Sequence, residues 1–185
     1  MTTTTDTLSY SLSNAAYFAF SDIILTATLA EMEAASVWYF EAQEVAEDVA
    51  ENMGTTLEVG ASIVSAFSPR NRWSLNVAQA LAFSMNKPVS GLGNNLRMAQ
   101  GAMVLGFDAL KGLKTNAFAR AIAGDTDAVV IDVWMMRAAG MDTDSPNQGQ
   151  YLALSDAVRR VAADQGITPR TAQALIWIIV RGSAN

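Results

Sequence analysis

Cysteine and histidine are both missing from this chain of 185 residues. Their absence excludes disulfides, thiolate clusters, Cys/His zinc sites, cysteine nucleophiles and Ser-His-Asp triads. Acid–base chemistry then falls to Asp, Glu, Lys or Tyr. Neither proline nor glycine precedes Gly54, so nothing punctuates helical patterns there. Basic residues are missing from the first third: residues 1–69 hold ten acidic side chains and no Lys or Arg. Residues 70–185 carry all twelve basic residues against eight Asp, net +4 within a chain of net −6. That asymmetry predicts a basic face able to meet phosphates. The acidic remainder completes the core or meets a protein partner, and internal charge pairing is the structural alternative.

A long apolar run is lacking too. The most apolar stretch, AAYFAFSDIILTATLA, is interrupted by Asp22 and several hydroxyl residues and is short for a bilayer. The opening MTTTTDTLSYSLS has no positive charge of the signal-peptide kind. The expectation is a cytoplasmic protein with no membrane partner.

What is present is globular: 51% of residues are apolar and 16% charged. The length suits one domain. Residues 1–12 read as a frayed, flexible terminus. Residues 13–185 read as a single all-α domain, with an acidic helical part over 13–54 and a basic part over 55–185. From Asn14 to Asn52 the spacing predicts one long helix, or two with a break near Ala35–Ser36. Thr55-Thr56-Leu57-Glu58 has the form of a capping box, opening LEVGASIVSAF. SPRNRW is a basic turn before SLNVAQALAF, and NKPVSGLGNN is a loop before NLRMAQGAMVLGF. DALKGLK reads as a short helix–turn. TNAFARAIAG and DVWMMRAAG are helical and closed by glycine. MDTDSPNQGQ is a polar loop, and YLALSDAVRRVAADQG a helix ending on Gly166. Thr168-Pro169 caps RTAQALIWIIVRG. AVVI is the one strand candidate and is too short to carry a sheet. The fold class is all-α, with roughly eight to ten helices.

One order of features carries chemical information. A short turn with Gly112 leads to Lys114-Thr115 at a helix start, and Asp132 opens a further helix with Arg137 behind it. This order resembles the helix-hairpin-helix DNA glycosylase superfamily, of endonuclease III type. In that family a lysine and threonine open the second helix of the hairpin. A catalytic aspartate follows at the same spacing, in a Val-Asp-Thr-His-x-x-Arg segment. IVSAFSPRNRWSLNVAQALAF is similar to the family segment whose loop enters the DNA stack. SGLGNNLRMAQGAMVLG is similar to the Gly-Leu-x-Asn segment before the hairpin, and AQALIWIIVRG to the closing helix. The likeness covers about residues 60–182, with gaps. The chain is also similar to a group of small phage-encoded proteins sharing SPR-x-x-W and the later Lys and Asp segments, which would place it in a host cytoplasm. Three features depart from the pattern. The hairpin Leu-Pro-Gly-Val-Gly-x-Lys is here Asp108-Ala109-Leu110-Lys111-Gly112-Leu113-Lys114. The iron–sulfur cysteines are absent. Val133-Trp134 replaces Thr-His.

The resemblance implies an enzyme that flips a nucleotide from duplex DNA and acts at its N-glycosidic bond, without metal or cofactor. Cleaving that bond builds positive charge on the sugar, which a nearby carboxylate stabilises. Asp132 is the candidate, at a helix start where the dipole favours negative charge. Lys114 is the second catalytic candidate, able to form a Schiff base with the sugar carbon. Read as residues alone, Asp132 is equally a helix cap and Lys114 a solvated side chain. Arg70 matches the position of the family's wedge. Arg70, Asn71, Arg72, Arg97, Lys111, Gly112 and Thr115 are the candidate DNA contacts, with solvated surface as the plain alternative. Trp134 and Asn95 are pocket candidates. Asn94 and Asn95 also suit a helix cap after Gly93. Trp38, Trp73, Trp134 and Trp177 read first as core, and the carboxylates of EAQEVAEDVAE as a solvated face. Two other functions fit the same scaffold: a phage DNA hypermodification transferase acting on a modified thymine, or an inert DNA- or partner-binding relative.

Overall fold

A computed structural model describes residues 3–91, 93–143 and 145–182, with side chains from Ser9 onward. Among the described residues the chain is all-helical, with nine α-helices, one 3-10 turn and no strand. In chain order these are α1 (Thr3–Leu25), α2 (Leu29–Met53), α3 (Leu57–Ala66), α4 (Trp73–Ser84), α5 (Gly93–Leu105), the 3-10 turn (Gly106–Ala109), α6 (Leu113–Ile122), α7 (Val133–Ala138), α8 (Gln148–Gln165) and α9 (Pro169–Arg181). Met1 and Thr2 of the expected flexible end, Leu92 and Asp144 of two expected loops, and residues 183–185 lie outside the described residues. No single described helix is long and apolar enough to cross a membrane. Where the length suggests one domain, the chain forms two compact units. The first is Met1–Trp38 with Thr126–Ala184, and the second is Tyr39–Asp125.

In the first unit α1 packs along α8, and α7 packs on α9. Ala16, Phe20 and Ile24 recur at helical spacing and are buried, as are Leu154, Val158 and Val161 of α8. Polar bonds fix the register of α1 and α8. The Ser13 hydroxyl donates to Asp156 at 2.6 Å and the Tyr17 phenol to Asp164 at 2.6 Å. Arg160 donates to the Asn14 side-chain oxygen at 2.8 Å and stacks over the Tyr17 ring at 4.4 Å. The bond to the Asp164 carboxylate raises the Tyr17 phenol above its ordinary range.

Two expectations are corrected at this end. The helix α1 starts at Thr3, inside the stretch read as frayed. Once the docked part of a helix is formed, each added residue costs little, so weak helix formers are carried along. The break between α1 and α2 falls at Thr26–Thr28, not near Ala35–Ser36. Thr28 and Glu31 form a capping box that stops one helix and starts the next. The Glu31 carboxylate accepts from the Thr28 N–H at 2.8 Å and from its hydroxyl at 2.7 Å. In return, the Glu31 N–H donates to the Thr28 hydroxyl oxygen at 3.3 Å. Those two donors, the backbone one foremost, hold the Glu31 carboxyl below its ordinary range.

In the second unit α3 is the central element, buried from Gly60 to Ala66 and packed on α5 and α6. Its cap is Thr56 rather than Thr55, with the hydroxyl accepting from the Val59 N–H at 3.4 Å. Glu58 does not reach back to close the expected box; it accepts from the Phe107 N–H at 3.3 Å. It thereby packs against Gly106, whose φ of 52° favours glycine. Glu41, Glu44, Glu47, Asp48 and Glu51 on α2 are exposed, as expected of a solvated face. At Gly60 the α3 backbone lies so close to α2 that a Cβ would land on the Ala46 carbonyl oxygen.

Gly60→Ala therefore destabilises the protein despite alanine's better helix propensity, by about 1–3 kcal/mol from overpacking. Urea unfolding of the two proteins checks this: the midpoint falls and the slope stays unchanged.

Candidate functional site

The approach to Asp132 is a segment without regular structure, buried without a sheet. Ala128, Val129, Val130 and Ile131 are all buried, so their backbone groups need partners other than water. Tyr151 of α8 supplies two. Its phenol donates to the Val129 carbonyl at 2.8 Å and accepts from the Ile131 N–H at 3.3 Å. Burial pushes this phenol up to about 12. Upstream, the Asp127 carboxylate meets Arg159 Nε at 3.2 Å, and the Thr126 carbonyl accepts from the Arg170 N–H at 3.0 Å. The segment is thus pinned at both ends before it delivers Asp132.

Asp132 is the cap of α7, as its position in the sequence predicts. Its Oδ1 accepts from the Trp134 N–H at 2.9 Å and the Met135 N–H at 3.1 Å. A third donor comes from α9, where the Trp177 indole Nε1–H reaches Oδ2 at 3.0 Å. The carboxylate is half-buried and Met135 and Met136 behind it are fully buried. Trp177 is in turn held by the Trp38 ring at 5.7 Å and by the Arg181 guanidinium at 4.6 Å over its face. Trp134, a pocket candidate by sequence, is half-buried with Arg137 stacked on it at 4.8 Å. All four tryptophans are half-buried rather than interior. Sequence reasoning missed Tyr151 and Trp177. No local motif marks either, since each is defined by what it touches across 20 and 45 positions.

The second unit holds the remaining candidates. Its hairpin runs from α5 through the 3-10 turn and Leu110–Gly112 into α6. Gly112 caps α6 with no side chain to satisfy the first turn, and its φ of −79° is ordinary; the left-handed glycine is Gly106. Lys111 and Gly112 are exposed, and Lys114 is half-buried at the second helical position. Thr115, expected at the DNA face, is buried instead: its hydroxyl donates to the Gly112 carbonyl at 3.0 Å, and Ser65 donates to its carbonyl at 2.7 Å. Asn116 ties the turn further, donating to the carbonyls of Phe107 at 2.9 Å and Leu110 at 3.3 Å.

The SPRNR turn is held by side-chain amides. Asn95 is buried and donates to the carbonyls of Pro69 at 3.1 Å and Phe67 at 3.5 Å. It braces this turn from inside α5 rather than capping the helix. Asn71 donates to Phe67 at 2.7 Å and to Gln79 at 2.6 Å, and Gln79 donates to the Ser90 carbonyl. Its amide is therefore engaged within the turn. Arg70 and Arg72 are exposed, and Arg70 sits at φ 63°, a left-handed backbone that side chains disfavour.

Cations divide by unit. In the first, Arg137 and Arg181 stack on tryptophans, Arg159 and Arg160 meet Asp127 and Asp156, and Arg170 is buried. In the second, among the described residues, no hydrogen bond or ion pair engages the side chain of Arg70, Arg72, Lys87, Arg97, Lys111 or Lys114, and the Arg120 side chain alone is occupied, on Asn116 and Phe107. No group of acidic side chains suited to a metal occurs among the described residues.

Residues 8–184 match a family of unknown function (DUF7178), and the chain belongs to that family. No curated protein and no solved structure matches it.

Two outcomes follow from this geometry. Tyr151→Phe leaves the Ile131 N–H and Val129 carbonyl without a partner and costs about 1–3 kcal/mol. The phenol is raised in the folded state, so its contribution is whole below pH 10 and is lost as pH rises through about 12. The stability gap between wild type and Tyr151→Phe, measured by denaturant titration, narrows across that window. Arg70→Gly removes left-handed strain and raises stability by about 0.5–1 kcal/mol, read from the same titration.

Proposed function

We propose that this protein is a DNA-base-processing enzyme of the DNA glycosylase type, with Asp132 as its charge-stabilising carboxylate. The observation that carries the reading is the state of that carboxylate. Three N–H donors fix it in place, and a carboxylate has about four acceptor directions. One direction, on Oδ2, is left. An anion held rigid with one lone pair to spare suits a reaction in which positive charge develops beside it. Cleavage of an N-glycosidic bond is such a reaction. The bonding electron pair leaves with the base, the sugar becomes cationic, and water adds to the sugar carbon while its proton passes to the departing base.

The partner follows from the unengaged cations of the second unit. Among the described residues Arg70, Arg72, Arg97, Lys111 and Lys114 have no ion-pair partner, and duplex phosphates supply one. Lys111 and Lys114 flank the start of α6, where two cationic side chains and the helix dipole suit a phosphate. Arg70 is carried on a braced turn in a strained backbone, which favours a side chain with work to do outside the fold. These features support a duplex ligand and a flipped nucleotide. They also favour a phosphate-holding Lys114 over a nucleophilic one.

The test is a panel of duplex and single-stranded oligonucleotides carrying normal, damaged and phage-type modified bases. Base release is scored as alkali-labile strand breaks, and covalent intermediates by borohydride trapping. Release on one member is expected, reduced at least about a hundredfold in Asp132→Asn, the scale of a lost electrostatic stabiliser. Lys114→Ala is expected to weaken binding and soften its salt dependence with release retained. Full release in Asp132→Asn, or silence across the panel, would contradict the reading.

A further inference from the structure

The Asp132–Trp177 bond assigns a role to a residue that no motif marks. We infer that Trp177 is a positioning residue for the Asp132 carboxylate, setting which oxygen lone pair is presented to a cationic sugar. This inference rests on the reading of Asp132 given above.

Oδ1 is committed to the helix. Two backbone N–H groups of α7 occupy it at 2.9 and 3.1 Å, so it offers nothing further. Those two bonds alone do not fix the other oxygen's environment. The indole Nε1–H at 3.0 Å takes one acceptor direction of Oδ2 and leaves one. An indole N–H is a donor only, so it holds the oxygen without exchanging a proton with it. That distinguishes it from a Tyr, Ser or Lys at the same place, each of which titrates or accepts as well.

Trp177 is equipped to hold this pose. It lies on α9, which starts on the Thr168 cap with Pro169 in its first turn and ends on Gly182 with φ 81°. The side chain of Arg181, one turn on, covers one region of the ring at 4.6 Å, and Trp38 packs against it at 5.7 Å with planes 59° apart. A cation over the ring draws electron density from the indole and makes its N–H a stronger donor. Core packing alone does not require the hydrogen bond; a bicyclic ring without the N–H would fill the same space.

The test uses a charge mimic and needs no knowledge of the substrate base. One duplex carries a pyrrolidine abasic nucleotide, cationic where the sugar would become cationic. A second carries its neutral tetrahydrofuran counterpart. The ratio of their dissociation constants reports the carboxylate's preference for positive charge. The neutral duplex alone reports fold and phosphate contacts. Wild type is expected to prefer the cationic duplex by at least about tenfold, and Asp132→Asn to show no preference. Trp177→Phe is expected to lose about three- to tenfold of that preference, the scale of one charge-assisted hydrogen bond, with neutral-duplex affinity unchanged. Benzothienylalanine at position 177 keeps the ring shape and removes only the N–H. It serves as the second variant should phenylalanine disturb the fold, with the same loss expected.

A preference abolished by Asp132→Asn but intact in both Trp177 variants would overturn the positioning role and leave the reading of Asp132 standing. No preference in wild type would overturn the reading of Asp132, and the role of Trp177 with it. Equal losses on both duplexes in both Trp177 variants would make the residue purely structural and would also overturn the inference.

Discussion

A carboxylate that receives three N–H donors from two helices fixes more than itself. The helix α7 has only six residues, too few to be stable alone, since most of its backbone groups lie within a turn of an end. Asp132 satisfies two of those groups and ties the helix start to Trp177 of α9. Each such bond to a charged group contributes about 1.5–3 kcal/mol. The buried stretch before it is held by one phenol, that of Tyr151, whose bonds to Val129 and Ile131 replace a neighbouring strand. The first unit is organised so that Asp132 arrives in one place with one orientation.

The second unit solves a different problem, keeping basic loops in shape without consuming their charges. Side-chain amides do this: Asn95, Asn71 and Gln79 brace the SPRNR turn, and Asn116 braces the approach to α6. Amides carry no charge, so the side chains of Arg70, Arg72 and Lys111 beside them are left without an ion pair among the described residues, and Arg120 alone of this unit's cations bonds an amide, that of Asn116. Arg70 shows the cost of this arrangement in its left-handed backbone. Thr115 shows the limit of reading a motif as a surface, because its hydroxyl is spent inside the turn.

Much of the helical content was legible in the sequence because helix ends are local events. Gly166 in the left-handed region, the Thr168-Pro169 start of α9 and Asp132 as a cap all follow from residues within one turn. Errors came where two local signals competed. The Thr28–Glu31 box lay inside a run of good helix formers and was overlooked. Thr55 and Thr56 were equally suited to a cap, and Glu58 was drawn to Phe107 by a contact 49 positions away. Tyr151 and Trp177 were beyond reach for the same reason. Both act across the fold, and a tyrosine or tryptophan at helical spacing looks like core until its polar atom is seen to have a partner. The division into two units was equally hidden, since a chain that leaves one unit within α2 and returns at Thr126 has no linker composition to betray it.

Three donors hold the one carboxylate on which the proposed chemistry depends, and hydrogen exchange read by two-dimensional NMR reports on all three at once. The backbone amides of Trp134 and Met135 and the indole Nε1–H of Trp177 should exchange slowly in the wild type. In Asp132→Ala all three should exchange faster together, while the Asn116 and Ala123 amides within the second unit keep their protection. Fast exchange of the three in the wild type, or protection unchanged by Asp132→Ala, would contradict the arrangement from which the function is argued.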